Sequence, residues 1–269
     1  MQIIYHNKCL DGFTGAWVAA TKDQDAVLTP VSYGKPPPMI VDKEVVFVDF
    51  CYGLETMLDI DSQADSLTIL DHHQTTIDNI GESDLNLQCV LDVNRSGAGI
   101  AWDFFHPDLP RPAIIDYVED ADILRMRYPE TKAVNAFLRT VKMDLDEWSI
   151  AAWRITNRLE FILDSGNAIL DRQDALIDEC IEEARLVEIG GVEVWAAPAP
   201  YSLGSEMANR LIRDKGFAAY WVDKPDCRQF GLRSDGSVDV EHIAHGYGGG
   251  GHKAASGFIV DKSHPLSKV

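Results

Sequence analysis

The chain has 269 residues, 46% of them hydrophobic, and carries 24 Lys and Arg against 43 Asp and Glu for a net charge of −19. That is enough apolar material for one large core or two ordinary ones, and so negative a field opposes a long phosphate backbone, which excludes a groove for duplex nucleic acid. No apolar run reaches the ~20 residues of a membrane span and no basic segment followed by an apolar one opens the chain, so a cytoplasmic location is expected.

In chain order, "QIIYH", "AVLTPVSY", "VVFVDF", "SLTILD" and "QCVLD" are short, β-branched apolar runs that predict strands, with "GFTGAWVAATK" and "GLETMLDIDSQA" as helices between them. This is the βαβ alternation of a mostly parallel sheet, interrupted at "KPPPM", where proline forbids helix or central strand. From Pro112 to about Arg185 the spacing turns helical, and Trp148 and Trp153 in that region are expected in the core. "IGG" at 189–191 makes a turn into a second strand-rich segment, in which "SEMANRLIRDKG" predicts a helix capped by Ser205 and closed by Gly216. The expected fold class is therefore α/β: a catalytic domain at 1–143, a helical connector at 144–188 and a smaller α/β domain at 189–269. The five cysteines, Cys9, Cys51, Cys89, Cys180 and Cys227, include no CxxC pair and are expected as reduced, mostly buried thiols.

The strand ends carry the chemistry. "IIYH" ends in His6, "VVFVDF" reaches Asp49, and "SLTILDHHQT" delivers Asp71, His72 and His73. In an open parallel sheet the carboxyl ends of the strands lie along one edge, where ligands bind. Imidazole and carboxylate without a thiolate pair suit a hard or borderline divalent ion such as Mn²⁺, and a bridging aspartate between two ions is typical of phosphoryl hydrolysis. A lone aspartate or histidine at a strand end is usually a cap or a polar terminus, but the adjacent His72 and His73 after an apolar run are hard to explain by packing. "YVEDADILR" adds Glu119, Asp120 and Asp122, which fit a solvated helix end as well as a site. "GYGGGGHKAASGF" offers glycines whose N–H groups can close on phosphate oxygens beside His252, a reading favoured over a hinge because ordered segments flank it.

With "YHNKCLDG", "VDF", "LDHHQT", "VEDAD" and the glycine-rich "GYGGGGHKAASGF" in this order, the chain resembles the DHH phosphoesterase family with its associated C-terminal domain, within it the oligoribonuclease-like (nanoRNase-like) subgroup. The resemblance covers nearly the whole chain and implies a two-metal centre, usually manganese, in a cleft between the domains. It implies His6, Asp11, Asp49, His72 and Asp120 as metal ligands, with Asp49 bridging and Asp122 as the fallback for Asp120. Asp71 would orient its neighbour and His73 would face the scissile phosphate. Gly249, Gly250, Gly251, His252 and Arg233 would hold phosphate in the second domain. The first motif commonly carries two aspartates two apart, and here Cys9 stands two before Asp11.

The function expected is a metal-dependent phosphodiesterase that cleaves short single-stranded oligonucleotides or dinucleotides to nucleoside monophosphates with a two-metal-activated hydroxide. Alternatives are a cyclic-dinucleotide phosphodiesterase, a phosphatase of 3′-phosphorylated nucleotides such as pAp, and a nucleotide-binding module with weakened catalysis. A homodimer through the helical middle stays open.

Overall fold

Ile3 and Ile4 are neighbours in sequence and both fully buried in the computed structural model, which describes every residue except Lys43 and 82–87. They can be so because successive side chains of a strand face opposite ways, and this strand has a core on each side. Five strands, β1 (Gln2–His6), β2 (Val27–Val31), β3 (Glu44–Val48), β4 (Ser66–Asp71) and β5 (Gln88–Leu91), pair in parallel in the order β2-β1-β3-β4-β5.

On one face Ile3, Val46, Val48 and Leu70 pack with residues of α1 (Leu10–Ala20), and on the other Ile4, Val45, Phe47 and Ile69 pack with Met57 and Ile60 of α2 (Leu54–Gln63) and Ile80 of α3 (Gln74–Ile80). Each side chain so buried contributes about 1.5–3 kcal/mol, which fixes the strand register, because a slip by one residue would exchange the two faces. The α1 side is completed by α4 (Gly97–Phe105), α5 (Ala113–Asp122), α6 (Thr131–Leu138) and α7 (Leu145–Asn157), where Trp148 is fully buried and its indole N–H donates to Thr14 Oγ1 at 3.2 Å. Trp153, expected in the core, is instead 57% exposed: it lies five residues on from Trp148, off the buried stripe of its helix.

The chain forms two units, Met1–Ile169 and Leu170–Val269, with the boundary inside α8 (Leu159–Glu182). The second unit is a six-stranded sheet of β6 (Arg185–Ile189), β7 (Val192–Pro198), β8 (Phe217–Asp223), β9 (Cys227–Ser234), β10 (Gly250–His252) and β11 (Ala255–Asp261), in the order β10-β11-β9-β8-β7-β6. It is antiparallel except where β7 meets β8. The helix α9 (Tyr201–Leu211) covers Ala218 and Tyr220 on one face, and α10 (Val240–Gly246) covers Phe230 and Phe258 on the other. Ser205 lies inside α9 rather than at its cap, because Pro200 supplies the N-terminal boundary. The thiols are free, but only Cys51 is buried and Cys89 is exposed on β5.

Candidate metal centre

The strand order reverses between β1 and β3, and the crevice beyond their carboxyl ends is the position such sheets offer a ligand. His6 ends β1, Asp49 follows β3, and Asp71 ends β4 with His72 and His73 directly after it. Asp49 has φ 55°, a left-handed conformation that costs a non-glycine residue about 1–3 kcal/mol and that is typically held at functional sites by its surroundings. Its N–H donates to Leu70 O at 3.0 Å, which ties the turn to β4.

His72 Nε2 lies 3.3 Å from Asp49 Oδ1, 3.3 Å from Asp122 Oδ2 and 3.9 Å from Asp11 Oδ2, and His6 Nδ1 lies 3.8 Å from Asp49 Oδ2. Three overlapping groups have ligand atoms within 4.8 Å of one another: Asp49, Asp71, His72 and His73; His6, Cys9 and Asp49; and Asp11, His72 and Asp122. Glycine makes this crowding possible at two points. A side chain at Gly12 would stand 3.0 Å from Asp49 Oδ2, and one at Gly97 would stand 2.8 Å from Asp49 Cβ.

Each carboxylate is differently employed. Asp71 is spent on orientation: Oδ1 accepts from His73 Nδ1 at 2.8 Å and from His72 N at 2.7 Å, and Oδ2 accepts from Thr76 Oγ1 at 2.6 Å. Those bonds outweigh burial and hold its carboxyl below the usual range, while the same bond raises His73. Asp11, in the first turn of α1, turns its carboxylate to the N-terminus of α4 and accepts from Gly97 N at 2.6 Å and Ala98 N at 3.0 Å, so backbone donors aim its remaining lone pairs at His72. Burial and the Asp49 and Asp122 charges nevertheless push Asp11 well above the ordinary value. Burial and Asp49 likewise raise Asp122 to about 6. Burial alone would lower His72, but Asp49, Asp11 and Asp122 overcome it and lift it to about 9.

Asp49 Oδ2 is buried without a hydrogen-bond partner. An orphaned carboxylate oxygen among mutually repelling carboxylates, with imidazole nitrogens beside them, is what a bound cation would relieve, so the donor set fits a divalent metal ion. Cys9 fits less well: burial, then the Asp49 and Asp11 charges, push its thiol up and keep it protonated, whereas a thiol ligates as thiolate.

Of the residues expected here, His6, Asp11, Asp49, Asp71, His72 and His73 are brought together, and Asp120 is not. Its carboxylate turns away to accept from Arg127 N at 2.8 Å, Tyr128 N at 3.3 Å and the Thr131 hydroxyl. Helical spacing explains the correction: Asp122, two positions on, faces His72 from the end of α5. Glu119 also has a structural task, accepting from Arg95 Nε at 3.0 Å and Ser96 N at 3.2 Å, which holds the turn that presents Gly97 and Ala98 to Asp11. That turn was not singled out in sequence, although "NRSGAG" carries its signal in the cap Ser96, which accepts from Gly99 N at 3.1 Å.

The remaining expected residues lie in the second unit. Gly250–His252 is not a loop but strand β10, paired with β11, and a side chain at Gly249 would meet Phe258 Cβ at 2.6 Å, so packing alone requires glycine there. Arg233 donates from Nε to Ser205 Oγ and from a terminal nitrogen to Leu232 O, each at 2.7 Å, which engages part of its fork.

No family model matches the chain. The uncharacterized protein R106 of Acanthamoeba polyphaga mimivirus is 25% identical over 284 residues, which cover 95% of this chain but 66% of that protein, so the chain spans a little under two thirds of its length. Among solved structures, the pGpG-specific phosphodiesterase PggH of Vibrio cholerae matches with a TM-score of 0.59 at 12% identity, over 99% of this chain and 96% of that one. RecJ of Thermus thermophilus, in complex with Mn²⁺, matches with a TM-score of 0.57 at 14% identity, over 97% of this chain and 50% of that one. An exonuclease RecJ bound to manganese matches with a TM-score of 0.54 at 16% identity, over 97% and 86%. The chain has the fold of the DHH-family phosphoesterases.

Proposed function

We propose that the chain is a divalent-metal-dependent phosphodiesterase that cleaves short oligonucleotides or dinucleotides to nucleoside monophosphates. The observation that carries this reading is the buried Asp49, with one oxygen unpartnered, between His6, Asp11, His72 and Asp122 at the switch point of the sheet. His6, Asp11, Asp49, His72 and Asp122 would hold the ions, Mn²⁺ being favoured because the manganese-bound RecJ structures share the fold. Such ions supply charge neutralisation for the phosphate and an activated water.

The protein's own groups do the rest. Asp71 fixes His73 through Nδ1, which leaves Nε2 as the ring's free nitrogen, and because its pKa is raised His73 is able to donate a proton to a phosphate or leaving-group oxygen. Substrate positioning would draw on the 189–269 domain through Arg233, Gly249, Gly250, Gly251 and His252. The net charge of −19 favours short substrates, which need few neutralising contacts.

The test is to incubate the protein with Mn²⁺ and a panel of two- to five-residue RNA and DNA oligonucleotides, a cyclic dinucleotide and pAp. Metal-dependent release of monophosphate from the linear oligonucleotides, abolished in Asp49→Ala and His72→Ala, is expected. Turnover of the cyclic dinucleotide or pAp alone would redirect the reading to those substrates, and nucleotide binding with no turnover would reduce the chain to a binding module.

A further inference from the structure

Asp49 stands between two sets of candidate ligands. Its Oδ2 faces His6 Nδ1 at 3.8 Å, and its Oδ1 faces His72 Nε2 at 3.3 Å. On the His72 side the set is Asp11, His72 and Asp122, two carboxylates and an imidazole. On the other side it is His6, Cys9 and Asp49, an imidazole, a thiol and a carboxylate whose ligand atoms lie within 4.8 Å of one another. The sulfur makes the two halves of the centre chemically unequal.

Local structure does not account for a cysteine at this position. Cys9 is the N-cap of α1, a place that calls for serine, threonine, asparagine or aspartate when capping alone decides. Lys8 before it takes a left-handed backbone, φ 59°, and Cys9 N donates to His6 O at 3.4 Å, so the turn folds back and brings the sulfur to the imidazole. An independent observation points to a ligand on this side. The Asp49 oxygen that faces His6 is the buried one without a hydrogen-bond partner, on a residue only 1% exposed. A cavity of about 360 Å³, lined by His6, Cys9 and Asp11 among others, gives an ion its way in.

We infer that the His6–Cys9–Asp49 half binds a thiophilic divalent ion of the Zn²⁺ kind through the sulfur, and leaves a harder ion such as Mn²⁺ to Asp11, His72 and Asp122. Zinc accepts sulfur, nitrogen and carboxylate oxygen in one tetrahedral set, and with three protein ligands it keeps a fourth position for water, whereas Mn²⁺ prefers oxygen. As the metal–sulfur bond forms, the thiol's proton passes to solvent, since a coordinating thiol gives it up outright. The inference rests on the metal centre of the phosphodiesterase reading and assigns unlike ions to its two halves.

The experiment titrates metal-free protein with Co²⁺, whose bond to a thiolate shows as a charge-transfer band in the near ultraviolet. Wild type is compared with Cys9→Ser, Cys9→Asp and, as a control thiol exposed on β5, Cys89→Ser. Zn²⁺ and Mn²⁺ affinities are measured alongside by calorimetry, and folding of each variant by circular dichroism. Wild type and Cys89→Ser are expected to show the band and to lose it on addition of Zn²⁺, and both folded Cys9 variants should lack it. The preference for Zn²⁺ over Mn²⁺ should fall by about tenfold or more in Cys9→Asp, because oxygen replaces the softer sulfur. A wild type without the band, or a band and a Zn²⁺ preference that persist in both Cys9 variants, would overturn the inference. If the Cys9-dependent band forms but no dinucleotide is cleaved with Zn²⁺, Mn²⁺ or both, the phosphodiesterase reading fails and the metal assignment stands. Mn²⁺-driven cleavage by a protein that shows no band has the reverse meaning.

Discussion

Asp120 and Asp122 lie two residues apart and have opposite employment, which makes them the sharpest pair for mutagenesis. Asp120→Ala strands two backbone N–H groups and the Thr131 hydroxyl, so it should cost about 1–3 kcal/mol in denaturant unfolding. Asp122→Asn removes a carboxylate whose pKa is already raised by burial and by Asp49; the metal-free protein should lose nothing, while Mn²⁺ affinity and hydrolysis fall at least tenfold. Equal losses of stability in the two variants would contradict this division. Cys9 offers a second residue-scale test. Cys9→Asp puts another acid beside Asp49 and Asp11, so the metal-free protein should melt at a lower temperature and the Mn²⁺-loaded protein should hold the ion more tightly. A variant with weakened Mn²⁺ binding would instead give the thiol a role of its own.

At the scale of elements, the turn from Asn94 to Ala98 offers no candidate metal ligand of its own, yet it aims Asp11. It is latched by Glu119 to Arg95 and Arg111, with Asp103 on the same arginines. Glu119→Gln should destabilise the fold by about 2–3 kcal/mol and weaken Mn²⁺ binding although it touches no ion, measured by unfolding and by metal titration. Asp103 adds a pH signature. Burial opposes but Arg111 and Arg95 prevail, so its folded pKa lies below the unfolded one. Its contribution is therefore fully present above the ordinary aspartate value near 3.9 and lost as pH falls through the lower folded value. Asp103→Asn should flatten the fall of the unfolding midpoint below pH 4, and an unchanged acid limb would count against the latch.

For the whole molecule, the βαβ alternation, the parallel sheet and the strand-end acids and histidines were legible because each rests on local spacing: apolar runs with a polar residue at the carboxyl end. What escaped was set by packing between distant segments. Which acid of "VEDAD" faces the centre depends on the rotation of α5 against α1 and α4, and the motif's order in sequence favoured the one that turns away. The end of the glycine run, Gly250 and Gly251, enters strand β10 because β11 is there to pair with it, which no local pattern announces. Trp153 is exposed because the buried stripe of α7 passes through Trp148, Ala151, Ala152 and Ile155. Among the described residues no helix is long and apolar enough to cross a membrane.

The acids and histidines at the switch point are proposed to hold a divalent ion needed for phosphodiester hydrolysis. The most direct measurement is the rate of mononucleotide release from a dinucleotide as Mn²⁺ is titrated into metal-free protein, in wild type and in Asp49→Asn. A saturable rise with Mn²⁺ is expected in wild type, abolished by chelation, and a rate at least a thousandfold lower in Asp49→Asn, about 4 kcal/mol of transition-state stabilisation. Release that is indifferent to Mn²⁺, or undiminished in Asp49→Asn, would contradict it.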